Sequence, residues 1–552
     1  MSVNLYPQSI KPTVDLEDGV TVYVPGYAYI GPEEPTLCTS VSEFEGLYGS
    51  TPYLFEADEK ETKISKGSPE KGYLYAKSLL DSGINILFHR YKADGSKTAV
   101  GAYLLKYCPK DSEQISEFYL VTQATSFGKA YAKTKVTLNH TDGSLFSISV
   151  KDREGNIVSD DLLSFDPTSS LYLKLSSYGL IKFKTTNSDG GVVDLEDSIM
   201  AQIAELTYLD STEDPTAGKY TIQPLKKVDG EYVIASDGFV TLEIDDNGPS
   251  QEFTLSDMLT SLGDSTSTGL LAPLKDFERY PSVAYITSGG YYLDSNTDAA
   301  ATMMAYARAI SAIALIDLNK NINSQADWVN AKTLYAKLTG EKIAKARAAA
   351  FVGCNSFSVS PYRLILGDSF NYLKSLGENL KSGIKAWIPV ANDPNGVSPL
   401  GYDTTQKIST DLAETMAEGK IGVSVNPLIY SKSAGGYKIM GNRTLYPNDG
   451  VLEPNTFLNI SVIVTRVERA ARQIANKLKI VSTNPDETFL KFKQSVGKTI
   501  DAMTVNQDGV ISYRIKHLPK TQPATINIQI HLVVLEGIET FNIYIPYELQ
   551  LD

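Results

Sequence analysis

The chain has 552 residues, with 51 basic and 65 acidic side chains and a formal net charge of −14. This charge argues against a protein whose whole surface binds nucleic acid or an anionic membrane. Hydrophobic residues make up 42% of the chain, enough for packed cores rather than disorder, and at ~150 residues per domain the length predicts three or four domains. The sequence has neither a signal-peptide pattern nor an apolar run of about 20 residues, so we expect synthesis in the cytoplasm and no membrane insertion.

The first 110 residues predict an arm followed by an α/β layer. Residues 1–19 contain two prolines and scattered apolar positions, which predicts an extended arm. Residues 20–110 carry the periodicities of a strand, two helices and a buried strand. The same alternation returns over residues 261–410, with a strand at 283–287 and a helix over 298–315. We therefore assign both parts to one discontinuous α/β domain.

The other two segments predict an insertion and a C-terminal domain. Asp-Gly and related turn pairs recur through residues 111–260 between short alternating runs, which indicates a β-rich module of hairpins inserted into the α/β layer. Residues 411–552 contain extended segments, two long helices and two final alternating strands, the pattern of a compact α+β domain. The predicted fold class is therefore α+β and multidomain, with extended terminal arms.

No catalytic, metal or nucleotide motif is recognisable. The four histidines are far apart, and no HExxH or Cys-Cys-His spacing occurs. The nearest nucleotide motif is Gly497-Lys498-Thr499, but Phe492 stands where a phosphate-binding loop needs glycine. An Asp-rich turn near residue 245 has Thr254 where a calcium loop needs a bidentate carboxylate. By omission, we expect no enzyme, no cofactor and no metal.

The helix predicted over residues 461–479 carries a net positive charge, opposite in sign to the net charge of the whole chain. Its apolar residues share one face, and five basic residues against one acid, Glu468, lie on the other: Arg466, Arg469, Arg472, Lys477 and Lys479. One explanation is an ordinary solvated face. The other is a contact with an acidic partner surface, a protein rather than a nucleic acid. In that case, replacing Arg469 and Arg472 by Glu should abolish attachment of the partner without unfolding the chain.

Both termini contain extended segments that could pair with a sheet of a neighbouring subunit. The apolar residues available for this pairing are Val3, Leu5 and Ile10 in the arm and Phe541, Ile543 and Ile545 in the final strand. Each main-chain hydrogen bond contributes ~0.5–1.5 kcal/mol net, so half a dozen would contribute ~3–9 kcal/mol per arm. The alternative is that both ends fold back on their own chain.

Three stretches resemble contractile phage tail sheath proteins. Residues 20–49 contain a strand, a Gly-Pro turn, a segment with Thr-Ser and acid-Phe, and a small helix that ends in glycine. Residues 72–90 are similar to the helix and strand that follow in that family. Residues 437–445, after an Asn-Pro pair, resemble the most characteristic stretch of the family, with the motif residues Gly441, Arg443, Thr444 and Leu445.

This resemblance covers roughly residues 20–110 and 280–552 and is weak over residues 111–260. Met440 stands where many relatives carry Trp, a departure that concerns only local packing.

The resemblance implies a structural, non-catalytic subunit. Sheath subunits stack as hexameric rings into a helical sleeve around a tail tube, with the C-terminal domain against the tube and the inserted domain outside. Terminal arms complete sheets in neighbouring subunits, and contraction drives the tube through the host envelope by rigid-body movement of domains. The expected partners are further copies of the chain, the tail tube protein, and baseplate and tail terminator proteins, without direct nucleic-acid contact. The expected location is the virion, after assembly in the host cytoplasm.

Within this interpretation the helix over residues 461–479 is the candidate tube contact, and a chain lacking residues 1–19 should fold but not polymerise. Two alternatives stay open. One is a tail tube or other phage structural protein. The other is a β-rich carbohydrate-binding adhesin, which the hairpin module and 33 tyrosines would suit.

Overall fold

The structure is a computed structural model. It describes residues 20–28, 31–49, 71–92, 98–127, 131, 133–152, 155–173, 181–186, 191–228, 231–244, 254–280, 282–294, 296–318, 324–335, 342–352, 355–359, 362–390, 402–404, 408–418, 424–431, 436–447, 453–479, 485–504, 509–519, 526–534 and 540–545. The predicted N-terminal arm, with Val3, Leu5 and Ile10, lies outside these residues.

The elements follow one another in four groups along the chain. The first group is β1 (Thr21–Gly26), β2 (Thr36–Cys38), α1 (Val41–Tyr48), α2 (Lys71–Asp81) and β3 (Asn85–Arg90). The second is β4 (Thr98–Cys108), β5 (Ser116–Phe127), β6 (Lys135–Asp142), β7 (Leu145–Lys151), β8 (Ile157–Ser164), β9 (Ile181–Thr186), β10 (Val192–Val193), α3 (Asp197–Ala204), β11 (Thr207–Tyr208), β12 (Lys219–Val228), β13 (Glu231–Ile234) and β14 (Val240–Thr241).

The third group is α4 (Leu255–Gly263), β15 (Val283–Ile286), α5 (Thr297–Ile310), β16 (Ile313–Leu318), α6 (Gln325–Tyr335), α7 (Lys342–Lys345), β17 (Ala348–Val352), β18 (Asn355–Val359), β19 (Tyr362–Leu366), α8 (Ser369–Lys381), β20 (Tyr402–Thr404), α9 (Thr410–Glu418), β21 (Asn426–Ser431) and β22 (Gly436–Ile439). The fourth is α10 (Leu458–Lys479), α11 (Pro485–Thr504), β23 (Val510–Leu518), β24 (Asn527–Val534) and β25 (Thr540–Ile545). Short 3₁₀ turns lie at Ala272–Lys275 and Pro454–Thr456.

An eight-stranded sheet in the order β2-β3-β1-β15-β16-β17-β21-β22 forms the centre of the molecule. Its inner strands from β3 to β21 are parallel, and β2 and β22 are antiparallel edges. β16 is buried at every position, as expected for a parallel strand covered on both faces. The predicted α/β layer is therefore present. It also includes β21 and β22, which the sequence assigned to the C-terminal domain.

Alternate residues of this sheet supply two cores. On β1, Val22 and Val24 belong to one core, together with residues of α2, α8 and α10. Tyr23, between them, belongs to the core on the opposite face, together with residues of α4, α5 and α9. The period-2 alternation of the strand thus places helices on both faces of the sheet.

The predicted helix over residues 298–315 is shorter in the structure. α5 ends at Ile310, where Ser311 adopts a left-handed conformation with φ of 58° and its backbone N–H bonds to the carbonyls of the last turn. β16 begins two residues later, at Ile313. The apolar run across this boundary fits the face of a helix and a buried strand equally well, so the sequence pattern does not reveal the change.

The insertion has its own core, whose buried members among the described residues run from Ala99 to Leu242. One sheet has the order β10-β9-β5-β4-β12-β11, with β13 paired to β12, and a second has the order β14-β6-β7-β8. β4 pairs with β5 and β12, so the sheet of the insertion begins at Thr98 rather than at the predicted residue 111. β4 and β5 form a hairpin, and one partner cannot be assigned to the insertion without the other.

The described C-terminal elements share a core with the central sheet. Val467 of α10 and Ile530 of β24 belong to the same buried cluster as Val22 of the central sheet. β23, β24 and β25 form a three-stranded antiparallel sheet. Pairs along β24 and β25 include Ile530 with Ile543, so the backbone of the final strand folds back on its own chain.

Candidate functional site

Two arginines of α10, Arg469 and Arg472, contact the end of α5. Arg469 is only 7% exposed, and its Nη1 donates to the Ser311 carbonyl at 2.6 Å. Nη1 of Arg472 donates to the Ala309 carbonyl, also at 2.6 Å. Carbonyls at the C-terminus of a helix lack intrahelical partners and carry a partial negative charge. The two guanidinium groups therefore cap α5 from the side.

Neighbouring charged groups of α10 also contact residues of this chain. The guanidinium of Arg466 lies 5.3 Å from the centre of the Trp387 ring, and Glu468 forms an ion pair with Arg347 at 2.9 Å. Burial, with a smaller effect of Arg466, lowers the pKa of Arg469 to about 10. The prediction of an exposed basic face is therefore wrong at Arg469, because its guanidinium is buried against the end of α5. Lys477 is exposed, and the side chain of Lys479 lies outside the description.

The sequence did contain a signal for this burial. Val462 and Val464 interrupt the supposed polar face and are buried in the structure, and Ser461 donates from its hydroxyl to the Ala346 carbonyl at 2.6 Å. A helix that carries apolar and small residues around its whole circumference is typical of an interior position. The count of five bases against one acid obscured this pattern.

The motif residues form a connection between the sheet and the start of α10. Asn426 of β21 accepts from the Arg443 N–H at 2.9 Å and donates to the carbonyls of Arg443 at 2.9 Å and Ala350 at 3.0 Å. Gly441 has φ of 95°, and a Cβ built there would lie 2.9 Å from the Cβ of Ala417. Both a left-handed conformation and a close approach thus require glycine at this position.

The remaining motif residues continue the connection on both sides. The Leu445 N–H donates to the Ala348 carbonyl at 2.8 Å, and the Thr444 N–H donates to the Thr456 carbonyl at 2.9 Å. The guanidinium of Arg443 lies 4.5 Å from the centre of the Phe457 ring. The motif therefore stabilises the fold by joining β17, β21 and the short 3₁₀ turn that precedes α10.

A buried polar cluster lies at the carboxyl ends of β15 and β16. The carboxylate of Asp317 accepts from the Ser369 N–H at 2.8 Å and from the Ser369 hydroxyl at 2.6 Å, and the hydroxyls of Tyr75 and Ser369 are 3.1 Å apart. Burial raises the pKa of Asp317 to about 6, while Ser369 and then Lys71 lower it. Nζ of Lys71 lies 4.6 Å from the centre of the Tyr292 ring. These contacts join α2, β16 and α8.

The described residues offer neither a metal site nor a membrane span. No group of three or more His, Cys, Asp or Glu side chains among them is arranged to hold a metal ion. No helix in the described ranges is long and apolar enough to cross a membrane.

One face of the β23–β25 sheet carries two basic side chains, of which Arg514 is exposed and Lys516 is half-buried. Arg514 of β23 pairs directly with His531 of β24, and Lys516 pairs with Gln529. Arg514 and Lys516 form no ion pair with any described carboxylate. The pKa of His531 is lowered mainly by burial and to a smaller extent by the positive charges of Lys516 and Arg514. Ile515, between the two bases, points into the core. The alternation of β23 thus separates a basic face from an apolar one.

The fold is that of a tail sheath protein. The crystal structure of a sheath tail protein from Listeria innocua matches with a TM-score of 0.56 and 10% identity, covering 97% of this chain and 96% of that one. A sheath tail protein from Desulfitobacterium hafniense gives a TM-score of 0.48 at 10% identity, with 99% of each chain covered. A chain of the anti-feeding prophage baseplate gives 0.35 at 14% identity, covering 54% of this chain and 81% of that one.

No protein-family model and no curated protein sequence matches the chain. The predicted resemblance to tail sheath proteins is therefore confirmed at the level of the fold. The match to the Listeria protein extends over the insertion, where the sequence resemblance is weak.

Proposed function

We propose that this chain is a structural subunit of a contractile tail sheath, which polymerises around a tail tube and contracts to drive the tube through a host envelope. The observation that supports it is the match over 97% of the chain to a sheath tail protein fold. The proposed role needs no catalytic step, because contraction draws on the free-energy difference between two packings of the same subunits. The subunit would be assembled in the host cytoplasm and reside in the virion.

In the proposed sleeve, subunits form hexameric rings connected by their termini. β25, which carries Phe541, Ile543 and Ile545, is an edge strand of its sheet, and among the described strands only β24 pairs with it. An open edge can accept a strand from another chain. We assign the arm of a neighbouring subunit, with Val3, Leu5 and Ile10, to this edge. The baseplate and tail terminator proteins would bind the two ends of the sleeve.

We assign the tube contact to the face of β23 that carries Arg514 and Lys516. Because Arg469 and Arg472 donate to carbonyls at the end of α5, we favour β23 over α10 for this role. An unpaired basic face on a chain of net charge −14 suits an acidic protein surface. The C-terminal sheet would then face the tube, and the insertion would face outward.

Negative-stain microscopy of the purified chain tests the main proposal. Regular striated hollow tubes are the expected result, and failure to form them over a range of salt and protein concentrations contradicts it. A chain lacking residues 1–19 should keep its far-ultraviolet circular dichroism and lose the tubes. Tubes formed by the shortened chain would show that the arm is not needed for assembly.

Charge reversal on β23 tests the tube contact. The variant Arg514→Glu/Lys516→Glu should still form sleeves but should no longer co-sediment with tubes of its cognate tail tube protein. The matched control is Lys491→Glu/Lys493→Glu on exposed positions of α11, which should co-sediment as the unchanged chain does. Equal binding by both variants would exclude the β23 face.

A further inference from the structure

Exposed apolar side chains are concentrated on the insertion. Fifteen large apolar side chains in the described part of the chain are strongly exposed, and twelve of them belong to the insertion. Scattered exposed apolar residues are ordinary on a protein surface, whereas clusters mark interaction sites. The twelve residues lie largely on edge strands, in particular on β8 and on the hairpin of β12 and β13.

Within the described residues, the outer edge of β8 is unpaired over most of its length. β8 is the last strand of the sheet β14-β6-β7-β8, and a bridge between Ser164 and Tyr172 covers its end. Ile157 is 61% exposed and Leu162 is 45% exposed. An edge with free main-chain groups and exposed apolar side chains is a template for pairing with another strand.

The β12–β13 hairpin exposes apolar side chains on both of its faces. Val233 pairs with Lys226, and Ile234 pairs with Leu225, so that Val233 and Ile234 point to opposite sides. They are 40% and 50% exposed, respectively. Among the described strands, β13 pairs only with β12. A two-stranded ribbon gains its stability from packing or from pairing with further strands. In this hairpin, the apolar side chains on both faces are available for packing, and the outer edge of β13 is available for pairing.

The two edges differ in charge. Asp160 and Asp161 are exposed at the middle of β8, whereas the hairpin carries the exposed Lys226 on β12 and the exposed Glu231 on β13. Two β8 strands paired antiparallel about their midpoint would bring the four aspartates together, which is unfavourable for like charges on opposed strands. The hairpin carries Lys226 and Lys227 on β12 and Glu231 on β13, so it brings less negative charge to β8 than a second β8 strand does. The charges thus favour pairing of unlike edges over pairing of two β8 strands.

We propose that the β12–β13 hairpin of one copy docks on the open edge of β8 of a second copy, with β13 extending the sheet β14-β6-β7-β8. The contact uses different surfaces of the two copies, so each copy can bind one neighbour on either side, and the contact propagates into a ring or helix. The inference rests on the proposed self-assembly and adds to it a direct link between insertions.

Cysteine pairing between separate copies tests this contact in the full-length chain. One preparation carries Val233→Cys, and three others carry Val158→Cys, Asp160→Cys or Leu162→Cys, so that the register along β8 is sampled. Each is mixed with the first and oxidised under assembly conditions. A disulfide-linked dimer is expected in at least one mixture, and in none of the four preparations alone. The control Lys182→Cys, an exposed position on β9, should give no dimer with Val233→Cys above the background of the unchanged chain.

A charge exchange gives an independent measurement. Asp160→Lys/Asp161→Lys should raise the protein concentration needed for assembly by about tenfold, which corresponds to ~1.4 kcal/mol of lost contact energy. Adding Lys226→Glu and Lys227→Glu to the same chain should restore most of the loss. Lys182→Glu alone should leave the concentration unchanged. These positions are on the surface, and an unchanged thermal transition verifies the fold of each variant.

The outcomes separate this inference from the proposed function. Striated tubes without any cross-link, or with an unchanged assembly concentration in the Asp160→Lys/Asp161→Lys variant, overturn the docking and leave the sheath role intact. Cross-links in small ring-shaped oligomers that never extend into tubes support the docking and contradict the sheath role. Dimers formed within the Asp160→Cys preparation alone would indicate pairing of two β8 strands and overturn the proposed contact.

Discussion

Substitution of Arg469 distinguishes an internal role of α10 from a surface role. Arg469→Met keeps much of the side-chain volume and removes the charge. It loses a charge-assisted hydrogen bond to the Ser311 carbonyl, worth ~1.5–3 kcal/mol. It also relieves the cost of burying the guanidinium: the pKa falls from 12.5 to about 10, which corresponds to roughly 3 kcal/mol. Because these two terms nearly cancel, Arg469→Met should change the free energy of unfolding by less than ~2 kcal/mol.

Arg469→Glu has no such compensation. A carboxylate at this position would lie against the carbonyls that end α5, where the helix carries a partial negative charge. A buried charge without a partner costs ~3–5 kcal/mol. The glutamate variant should therefore be at least ~3 kcal/mol less stable than the methionine variant. If Arg469 were on the surface, both changes would stay within about 0.5 kcal/mol.

Urea unfolding followed by tryptophan fluorescence measures this difference. Trp387 belongs to the core that contains α10, so its emission reports the unfolding of this region. Lys477→Glu reverses a charge on the same helix at an exposed position and should leave the midpoint unchanged. An Arg469→Glu midpoint equal to that of Lys477→Glu would refute the reasoning. If Arg469→Glu is destabilised as we expect, a loss of partner attachment in this variant would not show that Arg469 contacts the partner.

Three further changes test the connections around the central sheet by the same urea midpoint. Gly441→Ala combines a left-handed φ with a close contact and should cost about 2–4 kcal/mol, whereas Gly143→Ala, also at positive φ but in open space, should cost only about 1 kcal/mol. Asn426→Asp replaces the amide donor to two buried carbonyls by an acceptor and should cost at least ~3 kcal/mol. The folded-state pKa of Asp317 is raised from 3.8 to about 6, so the folded chain binds more protons between pH 4 and 6, and its stability should fall by up to ~3 kcal/mol as the pH rises through this window. Asp317→Asn should remove that part of the pH dependence, and an unchanged pH profile would contradict the assignment.

The sequence predicted most elements of the central sheet because local patterns determine them. The helix predicted before Gly49 ends at Tyr48 with glycine at its C-cap, and Ser40 accepts from the Glu43 N–H at its start. These are local stop and start signals. Sheet membership depends instead on contacts between distant residues. Neither the pairing of β17 with β21, at Phe351 with Asn426, nor the pairing of β4 with the insertion has a local signature.

The candidate contact residues were harder to predict because charge alone does not determine exposure. Arg469 has a long apolar stem, and its guanidinium donates to a backbone carbonyl inside the molecule. The partner carbonyl of Ser311 is 158 residues away, a separation that helical periodicity cannot reveal. On β23, the alternation of Arg514 and Lys516 with the buried Ile515 was available in the sequence, but the strand itself was not predicted.

The shared core restricts how the proposed sheath subunit could change shape. Val22, Val467 and Ile530 belong to one buried cluster, so separating the central sheet from the C-terminal sheet would expose apolar surface at ~25 cal/mol per Å². The insertion has a core of its own, so its movement would not divide the shared cluster. In the proposed contraction, the central and C-terminal sheets should therefore move together, and changes of subunit packing should fall on the terminal arms and on the contacts between insertions. A disulfide that joins the insertions of neighbouring copies should accordingly hinder contraction, whereas one between α10 and α5 within a subunit should not.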